Sequence, residues 1–253
     1  MTKTLTSHQA LRYNRQILLA DFDLDRQEIL LNARVLIVGV GGLGCPAAQY
    51  LVASGVGEVT LNDLDQVALS NLQRQILFTE QDIGRNKAEV AVNRLQQLNR
   101  HCQLAAISTQ LNESVLEKLI AEQDLVLDCT DNLATRNLIN RVCVKQRKPL
   151  VCAAAIRMEG QLFSYVPSQQ SACYHCLSQF FGEQQLSCVE SGILAPVVGT
   201  MGLMQALEAI KILTQCGDYG NGKLQLFDGK RGQWQQIQVP RNPRCDVCQQ
   251  HET

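Results

Sequence analysis

Residues 35–44 read VLIVGVGGLG, an apolar run that breaks into glycine. The first four are β-formers without charge, the composition of a strand buried on both faces of a sheet. Gly39, Gly41 and Gly44 then fit the G-x-G-x-x-G pattern. Such a turn lets backbone N–H groups reach phosphate oxygens and lets the following helix pack close to the strand. Pro46 falls in the first turn of the next segment, where its missing N–H costs little. Asp63 ends the next apolar run, EVTLND, at the distance expected of a ribose partner. The stretch specifies a nucleotide on a strand–turn–helix unit and leaves open which nucleotide.

Outward from this unit, apolar runs recur as RVLIVGV, EVTLND, CQLAAIS, DLVLDC and PLVCAAA. Segments 44–54, 86–98, 113–121 and 132–146 lie between them, each with apolar spacing near 3.6. The alternation predicts an α/β, Rossmann-like, mostly parallel sheet with helices on both faces. Two short helices, SHQALRYNRQILLA and LDRQEILLNA, are expected ahead of the first strand. After residue 155 the texture changes: GQLFSYVP reads as a half-exposed strand, 168–192 is polar with cysteines, and 197–214 is a strong helix. KLQLFD and QWQQIQV are expected to close the sheet as antiparallel strands. Without a repeat, low-complexity tract or linker, the economical reading is one domain, 1–253. It divides into N-terminal helices at 1–33, a nucleotide-binding core at 34–155 and an elaborated part at 156–253.

The chain has 253 residues, with 23 basic and 24 acidic side chains and a formal charge of −1. No polybasic field is present, which excludes nucleic acid as the main partner. The most apolar stretch, APVVGTMGLMQALEAIKIL, carries Gln205, Glu208 and Lys211, which favours a buried helix over a membrane span. Gly199 and Gly202 lie one turn apart in it and imply close packing within the fold. The opening residues form no charged region followed by an apolar one, so a cytoplasmic location is expected. Eleven cysteines fit a reducing compartment and suggest metal ligation for some.

CYHC places Cys173 and Cys176 at C-x-x-C spacing, and CDVC repeats it with Cys245 and Cys248. Two such turns together complete a tetrahedral Cys₄ site for structural Zn²⁺, tying the C-terminal tail to a segment roughly 70 residues earlier. His175, between the first pair, reads as an exposed loop residue. Cys45, Cys102, Cys129, Cys143, Cys152 and Cys216 mostly fall in apolar runs and read as small core residues.

Downstream of Asp63, the segments SNLQRQILF, IGRNKAEVAV and LVLDCTDN place Asn71, Arg74, Gln75, Lys87 and Asp131 after successive strands. Ligands bind at strand C-termini in open α/β sheets. Arginine and lysine there meet the charge of a triphosphate, and a carboxylate such as Asp131 suits Mg²⁺. Charge composition leaves both a nicotinamide dinucleotide and ATP open.

RYNRQILL, GVGGLG, LSNLQRQILF, LDCTDN, AAIRMEGQ, CYHCL and ALEAIK together resemble the MoeB/ThiF family, relatives of the ubiquitin-activating enzymes. The similarity runs from about residue 11 to the final C-x-x-C. The resemblance implies an enzyme that uses ATP to adenylate the C-terminal glycine of a small ubiquitin-like sulfur carrier ending in Gly-Gly. It implies that Gly42 and its neighbours approach the nucleotide and that Asp63 binds the ribose. Ser70, Asn71, Leu72, Gln73 and Arg74, with Lys87, would contact phosphates, and Asp131, beside Asn132, would organise Mg²⁺. Arg15 would reach across a homodimer into the partner's site, while Arg12 is read as a helix-surface residue. Cys188 matches the position of a thioester-forming cysteine in ubiquitin-activating relatives, and a loop thiol without duty is the alternative. The part at 156–253 would bind the carrier.

Two sibling activities divide this family: activation of the molybdopterin-synthase small subunit and activation of the thiamine-pathway carrier. AAIRMEGQ and FGEQQLSCVESG lean to the first, RQILFTEQDI and LQLFDGKRGQW to the second. The first is favoured, because its matches surround the expected channel for the carrier tail. No rhodanese-like extension follows residue 248, so a separate sulfur donor protein is expected. A nicotinamide-dependent oxidoreductase and a non-catalytic nucleotide scaffold are the competing classes.

Overall fold

β1 (Arg34–Val38) is the third strand from one edge of an eight-stranded sheet, paired in parallel with β2 (Glu58–Asn62) and β4 (Leu125–Asp128). The structure is a computed structural model describing residues 2–168, 170–180 and 192–249. β3 (Gln103–Ile107) extends the parallel part beyond β2, and β5 (Leu150–Ile156) extends it beyond β4. From β5 the sheet continues antiparallel through β6 (Glu159–Tyr165), β7 (Lys223–Asp228) and β8 (Gln233–Gln238). The order is β3-β2-β1-β4-β5-β6-β7-β8, so chain direction across the sheet reverses between β1 and β4. That reversal opens a crevice at the strand C-termini.

Alternate strand residues feed two separate cores, as the pleat requires. Val35, Ile37, Val59, Leu61, Leu125 and Leu127 join the core of one face, and Leu36, Val38 and Val126 that of the other. The first face carries α3 (Leu24–Asn32), α4 (Gly44–Ala53), α5 (Lys87–Leu98) and α9 (Ala195–Thr214). The second carries α6 (Glu113–Ala121), α7 (Leu133–Lys145) and α8 (Tyr174–Ser178). Asn86, Asn112 and Asn132 cap α5, α6 and α7 through side-chain acceptance of backbone N–H groups, which explains where those helices start.

Three expectations need correction. The first N-terminal helix divides into α1 (Ser7–Arg12) and α2 (Asn14–Ile17) at Tyr13. Tyr13 is buried, and its hydroxyl accepts a bond from Asn99 Nδ2 at 2.8 Å. Long-range packing breaks the helix there. β6 is not half-exposed: Leu162, Phe163, Ser164 and Tyr165 are all buried. Leu162 faces the core beneath α9, Phe163 and Tyr165 face the other core, and Ser164 Oγ donates to buried Glu208 at 2.9 Å. Cys216 is only half-buried and donates to Asp21 O at 2.8 Å; the other five single cysteines are buried.

α9 is long and apolar enough to cross a membrane, yet it packs on β5, β6, α3 and α4. Gln205, fully buried, donates to the carbonyls of Asp128 and Val151 at 2.9 and 3.2 Å. A Cβ added at Gly202 would collide with the Leu43 carbonyl and lie 2.6 Å from Pro46 Cγ, whereas one at Gly199 meets open space. The two glycines should therefore respond oppositely to alanine. Gly202→Ala is expected to lose about 1–3 kcal/mol through overpacking. Gly199→Ala should gain roughly 0.5–1 kcal/mol of helix stability. Urea unfolding of both variants measures the difference.

Candidate functional site

The site is built on the turn that follows β1. Gly39 has a φ of 93° and donates its N–H to Asn62 O at 2.8 Å. A Cβ on Gly39 would lie 2.8 Å from the Cys129 carbonyl oxygen, and one on Gly44 would strike Gly39's own carbonyl. Only glycine permits this turn to close against the end of β4 while α4 begins so near it. Asp63, one residue past β2, then ties the turn down. Its Oδ2 accepts from Val40 N at 2.7 Å and its Oδ1 from Asp65 N at 2.9 Å. Burial pushes the Asp63 carboxyl above the usual carboxylate range, and those backbone bonds with Lys87 pull it back.

The cations enter from the segment between β2 and α5. Arg74 packs its stem near Gly42, where an added Cβ would lie 3.4 Å from Arg74 Cδ and 3.0 Å from Val198 Cγ2. Its Nη1 donates to Ser70 O at 3.0 Å. Gln75 is buried beside Gly41, and its Oε1 has no hydrogen-bond partner among the described residues. Lys87 is 5 % exposed, at the first turn of α5, with Nζ 2.9 Å from Asp65 Oδ2. Asn71 Oδ1 accepts Ala68 N at 3.1 Å, while Ser70 and Gln73 are exposed and Leu72 packs on the core. The segment is anchored by buried Asp82, which accepts from Thr79 N, Thr79 Oγ1 and Arg94 Nη2 at 2.9 Å each.

From the other side of the crevice comes the turn after β4. Asp131 is exposed there and engages no partner among the described residues. Asn132 Oδ1 accepts Thr135 N at 2.9 Å, so its side chain caps α7. Gly39, Gly41, Gly42, Gly44, Asp63, Arg74, Gln75, Lys87, Asp131 and Asn132 thus all lie on turns and helix starts at the C-terminal ends of β1, β2 and β4. Arg15 is apart from them, exposed on α2 and without a partner among the described residues. Cys188 lies outside the described residues.

Sequence reasoning missed Asp65, the ion-pair partner of Lys87, and also Asp128 and Arg136 beneath the β4 turn. Asp128 is fully buried, with Oδ2 unpartnered among the described residues. A carboxylate closing a fully apolar strand, as in LVLD, was the available signal.

Away from the crevice, Cys173, Cys176, Cys245 and Cys248 converge as their spacing predicted. All four are buried, with every Sγ within 4.8 Å of the others. Neighbouring Sγ separations of 4.0, 3.8 and 3.6 Å suit a tetrahedral ion. Zn–S bonds of about 2.3 Å would place sulfurs roughly 3.8 Å apart. The donor set fits Zn²⁺ and leaves no open position for a substrate. Hydrogen bonds from Cys173 and Cys248 pull the Cys176 thiol down, toward the thiolate a metal binds. By contrast, burial pushes the Cys45 and Cys102 thiols up to about 12, which keeps them inert. His175 is not the exposed loop residue expected: it sits half-buried on α8, with Nε2 3.1 Å from Asp246 Oδ1.

A glycine turn at a topological switch point, flanked by an arginine, a lysine and two acids, defines a Rossmann-like α/β protein with a four-cysteine cluster whose donor set fits a metal. The sequence profile of the ThiF family matches residues 13–247, and the chain belongs to that family. It is 49 % identical over 246 residues to the molybdopterin-synthase adenylyltransferase of Escherichia coli K12, covering 97 % of this chain and 99 % of that protein. It is also 49 % identical over 238 residues to the sulfur carrier protein ThiS adenylyltransferase of the same organism, covering 94 % of each. The crystal structure of E. coli MccB with ATP superposes with a TM-score of 0.83 at 26 % identity, covering 96 % of this chain and 75 % of that one.

The cysteine cluster generates a prediction. Cys245→Ser should release zinc in a colorimetric thiol-displacement assay and lower Tm. A loss of on the order of 10 °C is expected, since each kcal/mol is worth about 2–4 °C at this chain length.

Proposed function

We propose that this chain is an ATP-dependent adenylyltransferase that activates the C-terminal glycine carboxylate of a small ubiquitin-like sulfur carrier, the small subunit of molybdopterin synthase. One observation carries the reading. Arg74 and buried Lys87 flank the glycine turn at the β1/β4 crevice in a ThiF-family chain. The equal identity to the ThiS adenylyltransferase makes the thiamine-pathway carrier the second reading.

In the reaction a carboxylate oxygen of the carrier attacks the α-phosphorus of ATP. The bond from that phosphorus to the oxygen bridging to the β-phosphate breaks, and pyrophosphate leaves with the electron pair. An acyl adenylate results, whose leaving group in the next step is AMP. Catalysis then rests on positioning and on stabilising charge at the departing oxygens. In this reading the backbone of Gly39–Gly44 meets the phosphates, and Asp63 orients the ribose. Arg74 supplies a planar fork and Lys87 a compact charge that Asp65 holds in place. Asp131 would hold Mg²⁺, which neutralises charge on the phosphates.

The carrier needs a surface and its tail a path. β8 is exposed along its whole length, and Trp234 stacks on Phe227 at 4.6 Å. A groove of about 550 Å³ beside it is lined by Met204, Lys211, Tyr219 and Trp234. An exposed aromatic with apolar neighbours suits a protein partner. The homodimer is likewise part of the proposal: Leu11, Leu18, Leu19 and Leu24 are exposed around Arg15. That arginine would enter the partner's site. A separate sulfur donor would act on the adenylate, and the chemistry would run in the cytoplasm. Adenylation itself needs no thiol, so Cys188 is assigned no step.

ATP–pyrophosphate exchange tests this directly. Exchange is expected with the molybdopterin-synthase small subunit bearing its C-terminal Gly-Gly and not with the thiamine-pathway carrier; exchange with neither overturns the proposal. Asp131→Ala should reduce exchange by about 10²-fold or more while retaining zinc, and wild-type exchange in that variant would remove Asp131 from the reaction.

A further inference from the structure

Arg136 lies on α7, 6 % exposed, directly beneath the turn that carries Asp131. Its Nη2 donates to the Thr130 carbonyl, and to the Ala153 carbonyl at 2.6 Å. One side chain thereby ties the β4 turn to the neighbouring strand β5. Asp128 grips the same residue from below: its Oδ1 accepts Thr130 N at 3.0 Å and Thr130 Oγ1 at 2.6 Å. Thr130 is therefore held at its N–H, its hydroxyl and its carbonyl, one residue before Asp131. It also borders the glycine turn, since a Cβ at Gly39 would lie 3.3 Å from Thr130 N.

On its far side, Arg136 faces Tyr174, the residue that follows Cys173. The guanidinium carbon lies 5.9 Å from the centre of the Tyr174 ring. Tyr174 N donates to Asn140 Oδ1 at 2.9 Å, and Asn140 Nδ2 donates to Cys173 Sγ at 3.6 Å. Asn140 is fully buried and Tyr174 nearly so. Buried polar groups with defined partners transmit position, because each lost bond leaves a costly orphan. A continuous path of contacts runs from a cluster thiol to the turn that ends in Asp131.

We propose that Arg136 is a positioning residue for nucleotide activation, fixing the Thr130–Asp131 turn against the glycine turn with the Cys173–Cys176 segment as its support. The inference rests on the adenylation reading for what the turn binds, and on geometry alone for what holds it. A single guanidinium nitrogen, Nη2, bridges a carbonyl of the β4 turn and one of β5 while the cation lies over the Tyr174 ring. A lysine ammonium, on a shorter stem and without the delocalised planar charge, does not reproduce both contacts. The buried Asp128 carboxylate supplies charge that compensates a guanidinium here.

The test uses the full-length zinc-loaded protein and two variants. Arg136→Lys keeps the charge beside Asp128 and removes the bridge; Tyr174→Leu removes the support and leaves Arg136 in place. Three quantities are read: amide hydrogen exchange at residues 129–132, MgATP affinity by calorimetry without carrier, and zinc content. Arg136→Lys is expected to retain zinc, speed exchange at those amides and weaken MgATP by about tenfold or more. The KM for MgATP should rise while that for the carrier stays unchanged. Tyr174→Leu should shift exchange and MgATP affinity in the same direction by less. Wild-type exchange and MgATP affinity in folded, zinc-loaded Arg136→Lys overturn the inference. Should that variant not fold, wild-type amide exchange in Tyr174→Leu overturns it instead. Failure of the unmodified protein to take MgATP would refute the adenylation reading, and the exchange measurement would still decide the role of Arg136.

Discussion

Gly39 and the Cys129 carbonyl approach so closely that a single methyl group between them would force the two turns apart. This contact joins the chain leaving β1 to the chain leaving β4, the strands between which the sheet reverses direction. The rest of the site is arranged around it. The closed turn places backbone N–H groups at the mouth of the crevice. It brings Gly42 against Arg74 and Val198, and Gly41 against Gln75. It also sets Thr130, and hence Asp131, beside the glycine turn.

Around that contact the protein places charge in a largely buried setting and restrains it. Lys87 is held by Asp65, and Asp63 by the Val40 and Asp65 N–H groups. Asp82 fastens α5 to the preceding segment through Arg94, and also pairs with Arg85. Each restraint limits reorganisation when a charged ligand arrives, the condition under which electrostatic stabilisation acts most strongly. The cysteine cluster acts at a distance from the crevice, stapling the tail to α8 and backing the layer that contains Tyr174 and Arg136.

Much of this was legible from residue order. The apolar spacing near 3.6 gives 113–121 with both ends of α6, and 44–54, 86–98 and 132–146 to within about a residue, because helical periodicity is a local signal. The paired C-x-x-C motifs announced their convergence because two such turns in one chain supply the four thiolates of a tetrahedral metal site. The break at Tyr13 was not legible, since Tyr13 leaves helical geometry to meet Asn99, 86 residues away. Nor was the burial of β6: alternation reports one covered face, and its second cover is a helix some 30 residues later in the chain.

The sequence by itself determined the parallel core, the glycine turn and the cysteine pairs, all of which depend on residue type and short spacing. Tertiary structure alone decided which charges and which polar partners stand together. Asp65 meets Lys87 across 22 residues, and Arg136 reaches Ala153 across 17. A buried charge is chosen by the partner that compensates it. That partner is brought by strand pairing and helix packing, which a linear reading of charges does not contain.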